Sequence, residues 1–471
     1  MVSRLPGPRL PRANRPRRRC FRFRLVSIPY IAFALILFIW LVMPHDSIVR
    51  LLLRFHLKNI QSSMKGRPSE DWVFAPPAFL PVNLAEDTLV VVKTGYGTRE
   101  RVPAFFDALP STSEFRDFLV IADYSSLPGK NPVYRGEEMP IHDMVNHTLS
   151  HADLFTDLTT DPRAIKYRAL TDAIADSDWN LALKLSESSG WELDAMKFIS
   201  GLQFAYEKFP SKKWYIMADD DTYFVQPSLK PLLAHLDPKL PYYLGNAVGD
   251  FKGRFAHGGS AIILSQAAMR ALLFKNPKIV SAAHMDALTE TWGDRLLAKA
   301  LIKAGVYLEE TYSHLFNGES PEETKIRPDR FCSPIITFHT LNTPEKMASA
   351  GKHFAEVTKA VLWNDLLELY DAHSPWRHDT KGLEAANKNW DHIGTPDDTV
   401  TTIDNVVIVE DCINRCENYQ LCMGWTWESQ TLKCRISPYV TVGKEAKGML
   451  SGMHTGRMRH LDYKCPHGIL V

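Results

Sequence analysis

The run KKWYIMADDDTYFV, Lys212 to Val225, decides how the rest of the chain is read. Its apolar stretch, Trp214 to Ala218, has the length and aromatic content of a buried strand. Three carboxylates follow at the strand's end: Asp219, Asp220 and Asp221. Adjacent carboxylates repel one another, and each is costly to bury unpaired. A positive partner is required, either a basic side chain or a metal ion. Oxygen-rich sites suit Mg²⁺, Mn²⁺ or Ca²⁺. A solvated acidic turn is the alternative, whereas a Ca²⁺ loop of the EF-hand kind lacks its Gly and late Glu at the needed spacing.

The neighbouring segments supply a sheet for this strand. DTLVVVKTGYGT is a β-branched run that ends at Gly95 and Gly97, as a parallel strand feeding a loop does. EFRDFLVIADYSS repeats the pattern, with a strand over Phe118 to Ala122 and Asp123 at its end. Between them RERVPAFFDAL can form a helix, and strand, helix, strand opens an α/β sheet. In ELDAMKFISGLQFAYEKF, the residues Ile199, Leu202, Tyr206 and Phe209 share one helix face until Pro210 stops it. YYLGNAV and GGSAIILS read as further strands, with Ser265 placed to cap the helix that follows. DRLLAKALIKAG reads as a helix with Asp294 in its first turn and Gly305 at its end. PIITFHT, Pro334 to Thr340, supplies a late strand. In open α/β sheets, ligands collect at the carboxyl ends of strands, where the acidic triplet lies.

A chain of 471 residues exceeds one ordinary core, so more than one folded unit is expected. The first 24 residues carry nine Arg and no acid, leaving 46 basic and 54 acidic residues beyond them, a net of −8. A mildly acidic body argues against a nucleic-acid groove. The segment Leu25 to Met43 contains no charge, and as a helix it matches the roughly 30 Å hydrocarbon core. It lacks the short apolar region and small-residue cleavage site of a signal peptide. The Arg excess ahead of it places the N-terminus in the cytosol. Everything past Met43 is then luminal or extracellular, and the sequon Asn146-His147-Thr148 is usable for glycosylation.

Six of the seven Cys lie beyond this segment, an even set suited to an oxidising compartment. Cys412, Cys416, Cys422 and Cys434 crowd a short stretch, with Cys412 and Cys416 on one helix face. Four Cys allow three pairings, and a zinc site of four thiolates competes with disulfides.

Two resemblances sharpen this reading. The stretch WYIMADDDTYFV…LGNAVGDFKGRFAHGGSAIILSQAAM resembles glycosyltransferase family 31, with its core 1 β-1,3-galactosyltransferases and Fringe N-acetylglucosaminyltransferases. The likeness covers about residues 86 to 345 and is strongest between 194 and 265. It rests on the aromatic strand, the DDDTY motif and the turn His257-Gly258-Gly259-Ser260. It implies a GT-A-like mixed sheet flanked by helices and a UDP-sugar donor whose leaving diphosphate is stabilised by Mn²⁺ or Mg²⁺. By the same likeness, Asp221, Asp219 and His339 hold the metal, while Thr94, Asp123, Asp219, Asp220, Gly258 and Gly259 contact substrate. Asp294 is then the base. Where relatives carry an acidic pair, however, the residue before it is Gly293, and Glu290 stands as a second candidate.

The Cys-rich tail resembles a PAN/Apple module. That likeness implies Cys412–Cys434 and Cys416–Cys422, and leaves Cys332 and Cys465 to pair. The implied order is a cytosolic Arg-rich tail (1–24), a transmembrane signal anchor (25–43) and a stem (44–85). A catalytic domain (86–345), a helical extension and linker (346–400) and a small disulfide-rich α+β module (401–471) complete it. The implied activity is hexose transfer, galactose in a β-1,3 linkage leading and N-acetylglucosamine the alternative, onto a glycan or glycoprotein in the Golgi. A membrane-anchored binding protein, inactive as a transferase and using the module to hold a glycan or protein, is the rival class.

Overall fold

The computed structural model describes residues 21–65, 70–74, 81–126, 129–370 and 382–465. The Arg-rich tail therefore falls largely outside the described residues. The chain enters through helix α1 (Phe21–Val42) and the amphipathic helix α2 (Ile48–Lys65). Large apolar side chains of α1, among them Tyr30, Ile31, Phe33, Phe38 and Leu41, are exposed. Among the described residues, no helix is long and apolar enough to cross a membrane. The side chains of α1 up to Pro29 lie outside that description. The stem packs on the body of the protein. Arg54 stacks over Tyr307 at 4.1 Å, and Lys58 pairs with Glu309 at 3.7 Å.

The central sheet is built from β1 (Thr88–Lys93), β2 (Phe118–Ala122) and β3 (Ile141–Asp143), then β4 (Trp214–Asp219), β5 (Tyr243–Gly245) and β6 (Ile262–Ser265). Its strand order is β3-β2-β1-β4-β6-β5, with β3 to β4 parallel and β6 antiparallel to both its neighbours. β1 and β2 are buried along their whole length, as strands covered by helices on both faces must be. Helix α3 (Arg101–Asp107) links β1 to β2. Helices α4 (Met144–Ala152), α5 (Trp179–Asp194) and α6 (Lys197–Lys208) fill the crossover from β3 to β4. The continuous helix expected through 192–209 is broken at Ala195 and Met196, which turns α6 inward so that Ile199 and Leu202 are buried.

Helix α7 (Pro277–Asp286) and helix α8 (Gly293–Lys303) follow β6. Ser265 caps the short helix after β6 by accepting from the backbone N–H of Ala268, and Gly305 ends α8 with φ +82°. The late strand expected over Pro334–Thr340 is only Thr337–Phe338, paired with Tyr223–Phe224 beside the acidic triplet. The backbone on either side bonds to loops instead: Ile336 N–H to Leu315 O and His339 N–H to Glu319 O.

The C-terminal unit is a five-stranded antiparallel sheet: β7 (Asn387–Asp391), β8 (Thr401–Ile403), β9 (Gly424–Glu428), β10 (Lys433–Ser437) and β11 (Lys444–Met453). Their order is β7-β11-β9-β10-β8. Because β7 pairs with β11, this sheet begins before residue 401, inside the stretch read as linker. Helix α9 (Val409–Asn418) lies on one face, tied to β10 by Cys412–Cys434 and to the following turn by Cys416–Cys422. The other side docks on the larger unit. Met423, Val440 and Met453 join its core, Ile326 and Val440 exchange backbone hydrogen bonds, and Cys332–Cys465 closes the joint.

Candidate functional site

Register brings the first charges together. β1 and β4 run parallel with Lys93 opposite Asp219, so one basic and one acidic residue share the carboxyl end of the sheet. Lys93 Nζ lies 2.8 Å from Asp219 Oδ1 and 2.8 and 2.9 Å from the two oxygens of Asp194, at the end of α5. Burial alone would lower the pKa of this ammonium, but Asp194 and Asp219 overturn that and hold it raised. Burial likewise opposes the charge on Asp219, and Lys93 and His339 more than offset it, so its pKa is lowered.

The second carboxylate is held apart from the first. Asp220 Oδ2 accepts a 2.6 Å hydrogen bond from the Thr94 hydroxyl, and Arg101 stands 3.5 Å from both Asp220 Oδ1 and Asp221 Oδ2. Burial raises the Asp220 pKa to about 6. Asp221 faces His339, whose Nε2 is 3.1 Å from Asp221 Oδ1 and 3.9 Å from Asp219 Oδ2. One ligand atom from each of Asp219, Asp221 and His339 lies within 4.8 Å of the others, a set able to hold a divalent cation. His339 reaches this point because position 259 is glycine. A β-carbon there would meet Nε2, Cε1 and Cδ2 of the ring at well under 3.0 Å.

These groups line a cleft of about 1030 Å³. Thr94, Gly258, Gly259, Asp294 and the acidic triplet all border it, as do Trp191 and Trp292. Asp294 sits in the first turn of α8, where Oδ2 accepts from the Gly258 N–H at 2.9 Å and Oδ1 from the Arg295 N–H at 2.8 Å. Burial raises its pKa against the effect of those two donors. Gly293 lets α8 approach α6: a β-carbon there would collide with the Phe198 ring. A glycine at 293 is thus a packing requirement of this chain.

Two expected residues lie elsewhere. Asp123 is fully buried beneath the cleft, where Oδ1 accepts from the Tyr96 N–H at 2.8 Å and Oδ2 lies 3.6 Å from Lys197 Nζ. It braces the β1 loop and does not border the cleft. Glu290 turns away to Lys299 and Arg295, so it is not positioned as a base. Asn146 is exposed in the first turn of α4, remote in sequence from these residues. Sequence reasoning missed Lys93, Arg101, Asp194 and Lys197. Only Lys93 left a signal, a lone ammonium ending an otherwise apolar strand.

The fold and cleft define a class of architecture: an α/β sheet with a carboxylate-lined cleft at the carboxyl ends of β1 and β4, the place where open sheets of this kind collect ligands. The particular likeness is narrower: residues 186–317 match the Fringe-like family model. The chain is similar to the Fringe-like family over this segment, about a quarter of its length. The match spans the acidic triplet, Gly258, Gly259 and Asp294, with Thr94 before it and His339 after it.

Proposed function

We propose that the protein is a metal-dependent inverting hexosyltransferase. It moves a sugar, with galactose in a β-1,3 linkage as the leading choice, from a UDP-sugar to a hydroxyl of a glycan or glycoprotein. One observation carries this reading: Asp219, Asp221 and His339 converge within 4.8 Å on the cleft that Asp294 also borders. Two carboxylates and one imidazole, with Gly259 leaving room for the ring, fit Mn²⁺ or Mg²⁺. When bound, such an ion would neutralise the charge that grows on a departing diphosphate.

The chain's own residues have separable tasks. Lys93 holds Asp219 ionised, Arg101 stands against Asp220 and Asp221, and Thr94 fixes Asp220 by its hydroxyl. Gly258 and Gly259 leave backbone accessible at the cleft wall, and the indoles of Trp191 and Trp292 offer flat apolar surface to a sugar ring. Asp294, steered by two backbone N–H donors, is the base that takes the acceptor hydroxyl's proton.

The exposed apolar side chains of α1 support its reading as a signal anchor, with the site in the Golgi lumen. The disulfide-tied helix over an antiparallel sheet supports an Apple-like module, braced on the catalytic unit and open to a glycan or protein ligand. The test is turnover of UDP-galactose, UDP-N-acetylglucosamine and other UDP-hexoses by the purified chain, with Mn²⁺, with Mg²⁺ and with chelator. Transfer or donor hydrolysis that chelator abolishes is the expected result. Absence of both turnover and metal-dependent nucleotide binding across the panel would overturn the proposal.

A further inference from the structure

A second cluster of ligand-type side chains lies on the helical face. His147 and His151, four residues apart on α4, share one side of that helix and meet His284 near the end of α7. Ring centroids lie 4.6 Å apart for His147 and His151, and 4.7 Å apart for His151 and His284. One ring nitrogen from each of the three lies within 4.8 Å of the others.

Hydrogen bonds assign the lone pairs. The Gln203 amide nitrogen donates to Glu207 at 3.0 Å, which turns its carbonyl oxygen to His284 Nε2 at 3.1 Å. His284 Nε2–H is thus the donor, and its lone pair sits on Nδ1. That nitrogen is buried without a hydrogen-bond partner, in a side chain only 1% exposed. His151 Nδ1 donates to the His147 carbonyl at 3.0 Å, leaving Nε2 free to accept. His147 Nδ1 is also buried and without a partner. Two ring nitrogens of the trio are thus buried and without a hydrogen-bond partner, each with a lone pair or an N–H left to place. Imidazoles that give their second N–H to a carbonyl oxygen are typical metal ligands in their outer bonding.

We propose that His147, His151 and His284 form a binding site for a zinc-class transition-metal ion, separate from the cleft. Three imidazoles with a fourth position for water are a donor set of Zn²⁺, and the absence of carboxylate from the trio disfavours Mn²⁺ and Mg²⁺. The ion would clamp α4 to α7. From α7 the chain passes through Thr291 and Trp292, which border the cleft, into α8. The site stands whether or not the cleft transfers sugars.

The experiment strips the full-length chain in detergent with chelator, titrates Co²⁺ and then displaces it with Zn²⁺. Tetrahedral Co²⁺ absorbs intensely in the visible, so the reading is independent of activity. The expected result is one such ion per chain, retained in Asp221→Asn and lost in His147→Ala and His151→Ala, both at half-buried positions. Gln203→Leu, which removes only the acceptor that orients His284, should weaken Zn²⁺ binding by roughly tenfold to a hundredfold with unchanged far-ultraviolet circular dichroism. The proposal is overturned if wild type develops no tetrahedral band. It is equally overturned if the band survives undiminished in the two histidine variants.

Discussion

Gly259 leaves empty the space that the His339 ring fills, for a β-carbon on the glycine would overlap that imidazole. The ring lies 3.1 Å from Asp221 only because it can cross the chain at this point. Gly259→Ala should push His339 away from the acidic triplet. A displacement of about 1 Å in such a site can cost about a hundredfold in rate. Steady-state kinetics with the active donor, alongside metal titration, would measure it. Activity within twofold of wild type would show that His339 does not act at the triplet.

Gly293 and Phe198 pose the converse case. Restoring an acid with Gly293→Glu forces a side chain into the Phe198 ring and toward the Ala195 backbone. Overpacking of this kind costs about 1–3 kcal/mol, so the variant should melt earlier and gain no activity. A rise in turnover at unchanged melting temperature would return the missing acid to the mechanism.

Asp294→Asn keeps the shape of the side chain and removes its basicity. Loss of a general base is worth about 10²–10⁴ in kcat, with donor affinity little changed. The pH profile follows from burial, which raises the pKa of this carboxyl. It binds a proton at higher pH than a free aspartate does, and only the deprotonated form accepts a proton from substrate. Activity should therefore fall on acidification from a pH above the ordinary carboxylate range, and rise as pH increases through that raised value. An acid limb at the ordinary aspartate value, measured in kcat, would remove Asp294 from this role.

Lys93→Met strands two carboxylates. Lys93 is the 2.8 Å partner of both Asp194 and Asp219, and it is almost wholly buried. Breaking such a buried pair by removing one member costs about 3–5 kcal/mol. Denaturant melts should show that loss, and saturating Mn²⁺ should recover part of it if the ion binds beside Asp219.

The joint between the two units has its own test. Cys332 and Cys465 close a loop across 133 positions, and a cross-link over a loop of that order stabilises by about 2–5 kcal/mol. Replacing both by Ser should lower the unfolding midpoint. Ile326–Val440 backbone bonds and the Arg327–Asp397 ion pair at 2.8 Å remain, so the units should stay associated in limited proteolysis.

What the sequence determined by itself was local and periodic. Apolar runs at Thr88–Lys93, Phe118–Ala122 and Trp214–Asp219 had to be buried strands, since no other arrangement hides so many consecutive apolar side chains in so few residues. The acidic triplet at a strand end demanded positive charge, and Ser265 and Gly305 marked helix ends by their own chemistry. Tertiary structure decided which groups answered that demand. Lys93 reaches Asp219 through strand register, and Asp194 reaches Lys93 through the packing of α5. It also buried Asp123 beneath the cleft and turned Glu290 outward to Lys299. His284, far along the chain from His147 and His151, meets them only because α4 and α7 pack together. Charge pairing and ligand convergence depend on distances through space, and a linear order of residues encodes those only after the core has closed.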